Sequence, residues 1–196
     1  MPVRPRHLSL CALAALLCVS VMLPAGASAQ TASSNGGAAY VPPPPPAKRA
    51  KIVNGVAIPP IGAPAPVKQA IAAANQIISK PYVYGGGHKP FSQIARKLDR
   101  GYDCSGAVSH ALYGGGLLKS PLDSGSFMSW GERGAGQWIT VYTNPGHAYV
   151  VIAGLRFDTS RGDRSAPEEL RSGTGPRWRK YSRSPAGFRA RHPAGL

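Results

Sequence analysis

Val67, Ile71, Ala74, Ile77 and Ile78 recur at the spacing of one helix face, which predicts an amphipathic helix over 67–79 stopped by Pro81. A second helix is expected over about Ser105 to Tyr113. Asp103 is its N-cap, Ala107, Val108, Ala111 and Leu112 form its inner face, and Gly114-Gly115-Gly116 ends it. From Gln137 onward the period changes from helix to strand. Trp138–Tyr142 reads as one strand and His147–Ile152 as a second, with a turn at Pro145-Gly146 between them. A short turn near Ala153-Gly154 leads into a third, Leu155–Ser160. Helices followed by antiparallel strands predict an α+β fold.

The first third of the chain lacks such periodicity. Arg4, Arg6 and His7 precede an apolar run of 16 residues, Leu8 to Leu23, and Ala27-Ser28-Ala29 follows as a small-residue cleavage site. This reads as a secretory signal peptide over 1–29, with a mature start at Gln30, a secreted or periplasmic protein and no other membrane-spanning segment. Residues 30–66 hold five consecutive prolines, Pro42 to Pro46, the cations Lys48, Arg49 and Lys51, and further prolines at 59, 60, 64 and 66. They read as a semi-extended, basic spacer that buries no core. The folded domain is then expected over 67–196, long enough for one modest core.

Charge narrows the choice of partner. The chain carries +15, and +13 remains once Arg4 and Arg6 leave with the signal peptide. For an exported protein this favours an anionic wall or surface polymer over nucleic acid.

Candidate chemistry centres on Cys104. Cys11 and Cys18 lie in the leader, so Cys104 has no intramolecular disulfide partner in the mature chain. Behind the N-cap Asp103, its sulfur would sit at a helix N-terminus. There the helix dipole favours the thiolate, and free backbone N–H groups could hold an oxyanion. The alternative is a buried structural thiol. A nucleophilic thiol needs a base. His110 lies on another face of the same helix, His88 in a glycine-rich loop and His192 in a polar tail, whereas His147 opens a rigid apolar strand. A hairpin turning at Ala153-Gly154 returns Asp158 and Thr159 beside His147. Register decides which shares its face: an odd sum of paired residue numbers selects Asp158, an even sum Thr159. Asp158 is preferred, because a carboxylate fixes the imidazole tautomer and stabilises imidazolium. No histidine stands at metal-ligand spacing from another histidine or cysteine, and the expected chemistry needs no cofactor.

Three segments together resemble the NlpC family of cell-wall cysteine peptidases: Pro81-Tyr82-Val83-Tyr84-Gly85-Gly86, then Asp103-Cys104-Ser105-Gly106, then Gly146-His147-Ala148-Tyr149-Val150-Val151-Ile152. The similarity runs over about Ala70–Ser160. It implies a papain-like fold, with the nucleophile at the start of a helix packed on an antiparallel sheet. It also implies hydrolysis of peptide bonds in peptidoglycan stem peptides, with Cys104 as nucleophile, His147 as base and Asp158 as third member. In that family the third residue is usually His, Asn or Gln. Tyr82, Asp103 and Ser105 match positions that line the substrate site. The partner so implied is peptidoglycan or another anionic wall polymer, and the protein is expected to act as a monomer.

The basic tail carries Trp178, Tyr181 and Phe188 among its arginines. It reads first as short strands closing the domain with the aromatics turned inward, and second as a polyanion-binding segment. Two other functions remain open on sequence alone: an amidase or acyltransferase using the same Cys-His pair, and an inactive wall-binding module.

Overall fold

Chain reversals at three two-residue turns set the architecture of the computed structural model, which describes residues 49–94, 96–160, 175–179 and 183–196. All of these belong to one unit, Pro43–Leu196. The expected signal peptide, its cleavage site and the five-proline run lie outside the described residues, as does Tyr181.

The first reversal corrects the spacer reading. Lys51–Val53 (β1) and Val56–Ile58 (β2) form an antiparallel hairpin, with Lys51 opposite Ile58. Asn54 and Gly55 take φ of 49° and 80° at its tip, the left-handed pair that a tight hairpin turn requires. Ala50, Ala57 and Ala63 are buried in the main core, so residues 49–66 belong to the folded unit. Asn75 fixes the hairpin in place: its side chain accepts from Ala57 N–H at 3.0 Å and donates to Ala57 C=O at 2.9 Å.

Helix α1 runs over Ala65–Asn75, with Pro66 in its first turn, where no N–H is needed. It ends four residues earlier than the apolar spacing predicts. Beyond Asn75 the backbone closes shorter turns, Ile77 N–H to Ala74 C=O and Lys80 N–H to Ile77 C=O, which still turn Ile77 into the core. After α2 (Phe91–Ile94), helix α3 spans Cys104–Gly114 and buries Ala107, Val108, Ala111 and Leu112, as its pattern predicts. A short α4 follows at Ser124–Phe127.

The remaining elements build one antiparallel sheet: β3 (Glu132–Arg133), β4 (Ile139–Asn144), β5 (His147–Ile152), β6 (Leu155–Asp158), β7 (Arg177–Arg179) and β8 (Arg189–His192). Their spatial order is β3-β8-β4-β5-β6-β7. The protein is therefore α+β. The second reversal, at Pro145-Gly146, pairs Asn144 with His147. The third, at Ala153-Gly154, has φ of 46° and 75° and pairs Ile152 with Leu155. Val141, Val150, Ile152 and Phe157 join the residues of α1 and α3 in one apolar core. The tail supplies the edge strand β7 and inserts β8 between β3 and β4. Trp178 packs on Phe157 with ring centres 4.9 Å apart, and its indole N–H donates to Asn75 at 2.7 Å. Asn75 thus ties the hairpin, α1 and β7 together.

Candidate active site

Cys104 is the first residue of α3, and the sequence around it forces that placement. Asp103 is extended at the N-cap and accepts the Gly106 N–H at 2.7 Å. The Ala107 N–H is taken by Asp103 C=O. The N–H groups of Cys104 and Ser105 have no intrahelical acceptor, because the first turn of a helix never supplies one. They are free to bind an anionic oxygen held beside the sulfur.

The loop before the helix holds this turn by close backbone contact. Gly86 C=O accepts the Asp103 N–H at 3.1 Å, and Gly85 N–H donates to the Asp103 carboxylate at 3.0 Å. A Cβ on Gly86 would strike Gly101 C=O, and one on Gly106 would strike Gly86 C=O. Gly86 and Gly106 therefore form a close-packed seat between this loop and the first turn of α3.

His147 opens β5, and Asp158 ends β6. The register pairs Val150 with Phe157, an odd sum, so Asp158 shares the face of His147. His147 Nε2 lies 3.0 Å from Asp158 Oδ1. A carboxylate only accepts, so Nε2 carries the hydrogen and Nδ1 is left for the thiol. Thr159 is buried on the other face, its hydroxyl without a hydrogen bond among the described residues.

Electrostatics couple the three groups. Burial pushes the Cys104 thiol up, but the His147 imidazole and the Ala148 N–H outweigh it and bring its pKa below the usual value. Burial would lower His147, but Asp158 and Cys104 raise it to about 9. Asp158 is completely buried in its side chain, yet its pKa falls well below the ordinary carboxylate range. Burial alone would raise it. The His147 bond, the Ser160 N–H at 2.8 Å and the nearby Arg156 hold it ionised. Each group thus favours the charged form of its neighbour, thiolate beside imidazolium and imidazolium beside carboxylate.

Of the other expected site residues, Tyr82 and Ser105 also gather here. Tyr82 is partly exposed and is raised by burial and by the negative charge of Cys104 and Asp103, which places its hydroxyl in their field. Ser105 Oγ lies 3.2 Å from Asp103 Oδ1. His110 stays apart, as its helix face predicts. It is buried edge-on to Tyr102, and burial lowers its pKa to about 4. His192 pairs with Glu132 at the sheet edge.

Three residues of the site escape sequence reasoning. His88 Nε2 contacts both oxygens of Asp103, at 2.9 and 3.1 Å, and that hydrogen bond outweighs burial to raise its pKa. Arg183 donates to Asp158 Oδ2 at 3.3 Å and to Ser160 Oγ at 2.9 Å. Its guanidinium lies 5.5 Å from the Tyr149 ring centre and 5.0 Å from that of Phe188. Phe188 in turn stands edge-on to His147 at 6.2 Å. The mixture of arginine and aromatic residues in the tail was the available signal for the last two.

Among the described residues, no three His, Cys, Asp or Glu side chains gather as a metal ion would require. None of their helices is long and apolar enough to cross a membrane. Comparison of the chain with protein-family models, with curated proteins and with solved structures finds no match.

Proposed function

We propose that this protein is an exported cysteine peptidase of the NlpC type, papain-like in its arrangement, that hydrolyses peptide bonds in peptidoglycan stem peptides. The observation that carries this reading is the 3.0 Å bond between His147 Nε2 and Asp158 Oδ1, with the second imidazole nitrogen left for a thiol at the N-terminus of a helix.

In the proposed reaction the Cys104 thiolate attacks the scissile carbonyl carbon. A C–S bond forms, and the carbonyl electrons move onto the oxygen facing the N–H groups of Cys104 and Ser105. As the tetrahedral intermediate collapses, the C–N bond breaks and imidazolium His147 gives its proton to the departing amine. Neutral His147 then takes a proton from water, whose oxygen attacks the thioester. The C–S bond breaks, the carboxylic acid product leaves, and the thiolate–imidazolium pair returns. Asp158 keeps the imidazole in one tautomer throughout. Tyr82, Asp103 and Ser105 line the approach to the sulfur.

The test is digestion of purified peptidoglycan by the protein and by Cys104→Ser, with products read by mass spectrometry. Peptide fragments that depend on Cys104 support the peptidase. Release of the entire stem from the sugar would assign an amidase. Absence of any Cys104-dependent product, with the thiol kept reduced and several wall types tried, would leave a binding module.

A further inference from the structure

A second feature lies at the β3–β8 edge of the sheet, apart from the cysteine and its partners. Arg133 stands directly opposite Arg191 across β3 and β8, and Arg189 lies two residues along β8. Opposite residues, and residues two apart, point to the same side of a sheet. The three guanidinium side chains therefore share one face. With Gly134 and Ala190 they line an open depression of about 440 Å³.

Folding alone does not favour this arrangement, since like charges directly opposite in a ladder destabilise it. Arg191 is fixed by its bond from Nε to Met128 C=O at 2.8 Å, just beyond α4. Arg133 and Arg189 are exposed, and among the described residues neither has an ion pair or a hydrogen bond from its side chain. The acidic neighbour Glu132 points to the opposite face, where it meets His192 at 3.3 Å.

We propose that this depression binds the phosphate groups of a polyanionic polymer, with Arg191 as its fixed floor and Arg133 and Arg189 closing from the rim. Guanidinium forks match phosphate oxygens in pairs, and a tetrahedral phosphate presents oxygens to several forks at once. The depression is open, so a chain can continue on either side of a bound phosphate. Its lining contains no aromatic side chain on which a base could stack, which favours a phosphate–polyol backbone over single-stranded nucleic acid. That the polymer belongs to a cell wall rests on the function proposed above; the binding itself does not.

The experiment measures binding of the full chain to immobilised poly(glycerol phosphate). Wild type is compared with Arg133→Gln/Arg189→Gln and with Lys51→Gln/Lys119→Gln, which removes the same charge from exposed positions elsewhere. The arginine pair is expected to weaken binding by about tenfold or more, and the lysine pair by less than about twofold. Equal weakening by both pairs, no binding by wild type, or more effective competition by single-stranded DNA than by free poly(glycerol phosphate) would each overturn the proposal. Hydrolysis of a soluble stem peptide, followed in parallel, is expected to be unchanged in the arginine variant. Loss of wild-type hydrolysis with retained polymer binding would count against the peptidase and leave the phosphate site standing.

Discussion

Arg183 reaches the Asp158 oxygen that His147 leaves free, so the carboxylate binds an imidazole through Oδ1 at 3.0 Å and a guanidinium through Oδ2 at 3.3 Å. The C-terminal segment thereby becomes part of the catalytic apparatus proposed here. Arg183→Gln removes a cation beside the carboxylate and the cover over Tyr149 and Phe188. It is expected to cost about 1–2 kcal/mol of stability, read by urea unfolding. Without that cation His147 should hold its proton more tightly, so the alkaline limb of the pH–activity profile should move upward. An unchanged profile would leave Arg183 a purely structural role.

Asp158→Asn is expected to lower turnover on the order of 10²-fold, because the amide neither enforces the tautomer nor stabilises imidazolium. Thr159→Val, on the opposite face, removes a hydroxyl without a hydrogen bond among the described residues and should leave turnover within about twofold. The two variants together check the register in solution. Activity measured on the same substrate should separate them clearly.

The turn and the helix start were legible because both are local, whereas the register that selects Asp158 over Thr159 comes from the β5–β6 pairing itself. Ala153-Gly154 joins β5 to β6 through two residues, and Asp103 announces its helix through the next three. His88 was not legible in this way. Its bond to Asp103 spans the α2 excursion, and nothing in the sequence near 88 marks where that loop returns. The β1–β2 hairpin carried its own signal in Asn54-Gly55, between two short apolar-containing triplets. The surrounding prolines and cations suggested a spacer, but they lie in connections and at the surface, where they do not oppose burial of three alanines. The insertion of β8 between β3 and β4 is a non-local pairing, for which sequence periodicity has no term.

Thiol reactivity provides a separate check on the ion pair. With its pKa lowered chiefly by His147 and Ala148 N–H against the push of burial, Cys104 should be alkylated by iodoacetamide at pH 6. His147→Ala removes the cation that lowers the thiol and should slow labelling at that pH. Equal rates would mean that the imidazole does not activate the sulfur.

Stability should depend on pH through the same pair, with opposite signs at the two ends. His147 is raised in the folded protein to about 9, so its contribution is full below the ordinary imidazole value of about 6.5 and fades as pH rises through about 9. Asp158 is lowered, so its contribution is full above the ordinary carboxylate value of about 4 and fades as pH falls through its depressed folded value. Thermal unfolding should thus show its highest Tm between about pH 4.5 and 6.5 as far as this pair is concerned. In Asp158→Asn both slopes should flatten. A flattened alkaline side with an unchanged acid side would assign the acid loss to other carboxylates, of which Asp103, lowered by His88 against burial, is the first to examine.

Gly106→Ala examines the seat of the nucleophile without touching a reacting group. The added methyl would meet Gly86 C=O, which itself receives the Asp103 N–H, so either α3 shifts or the loop gives way. Overpacking of this kind typically costs about 1–3 kcal/mol. Because the loop also supplies the Gly85 N–H to Asp103, the displacement should reach the cap and tilt the first turn, moving the Cys104 and Ser105 N–H groups off the oxyanion position. Gly114→Ala, at the far end of the same helix, would instead meet the Cβ of Ala73 on α1, away from Cys104. Comparable destabilisation in the two variants, with turnover lost only in Gly106→Ala, is the expected result, read by unfolding and by steady-state kinetics at saturating substrate. Equal loss of turnover in both would show that activity follows global stability, and not the geometry of the helix start.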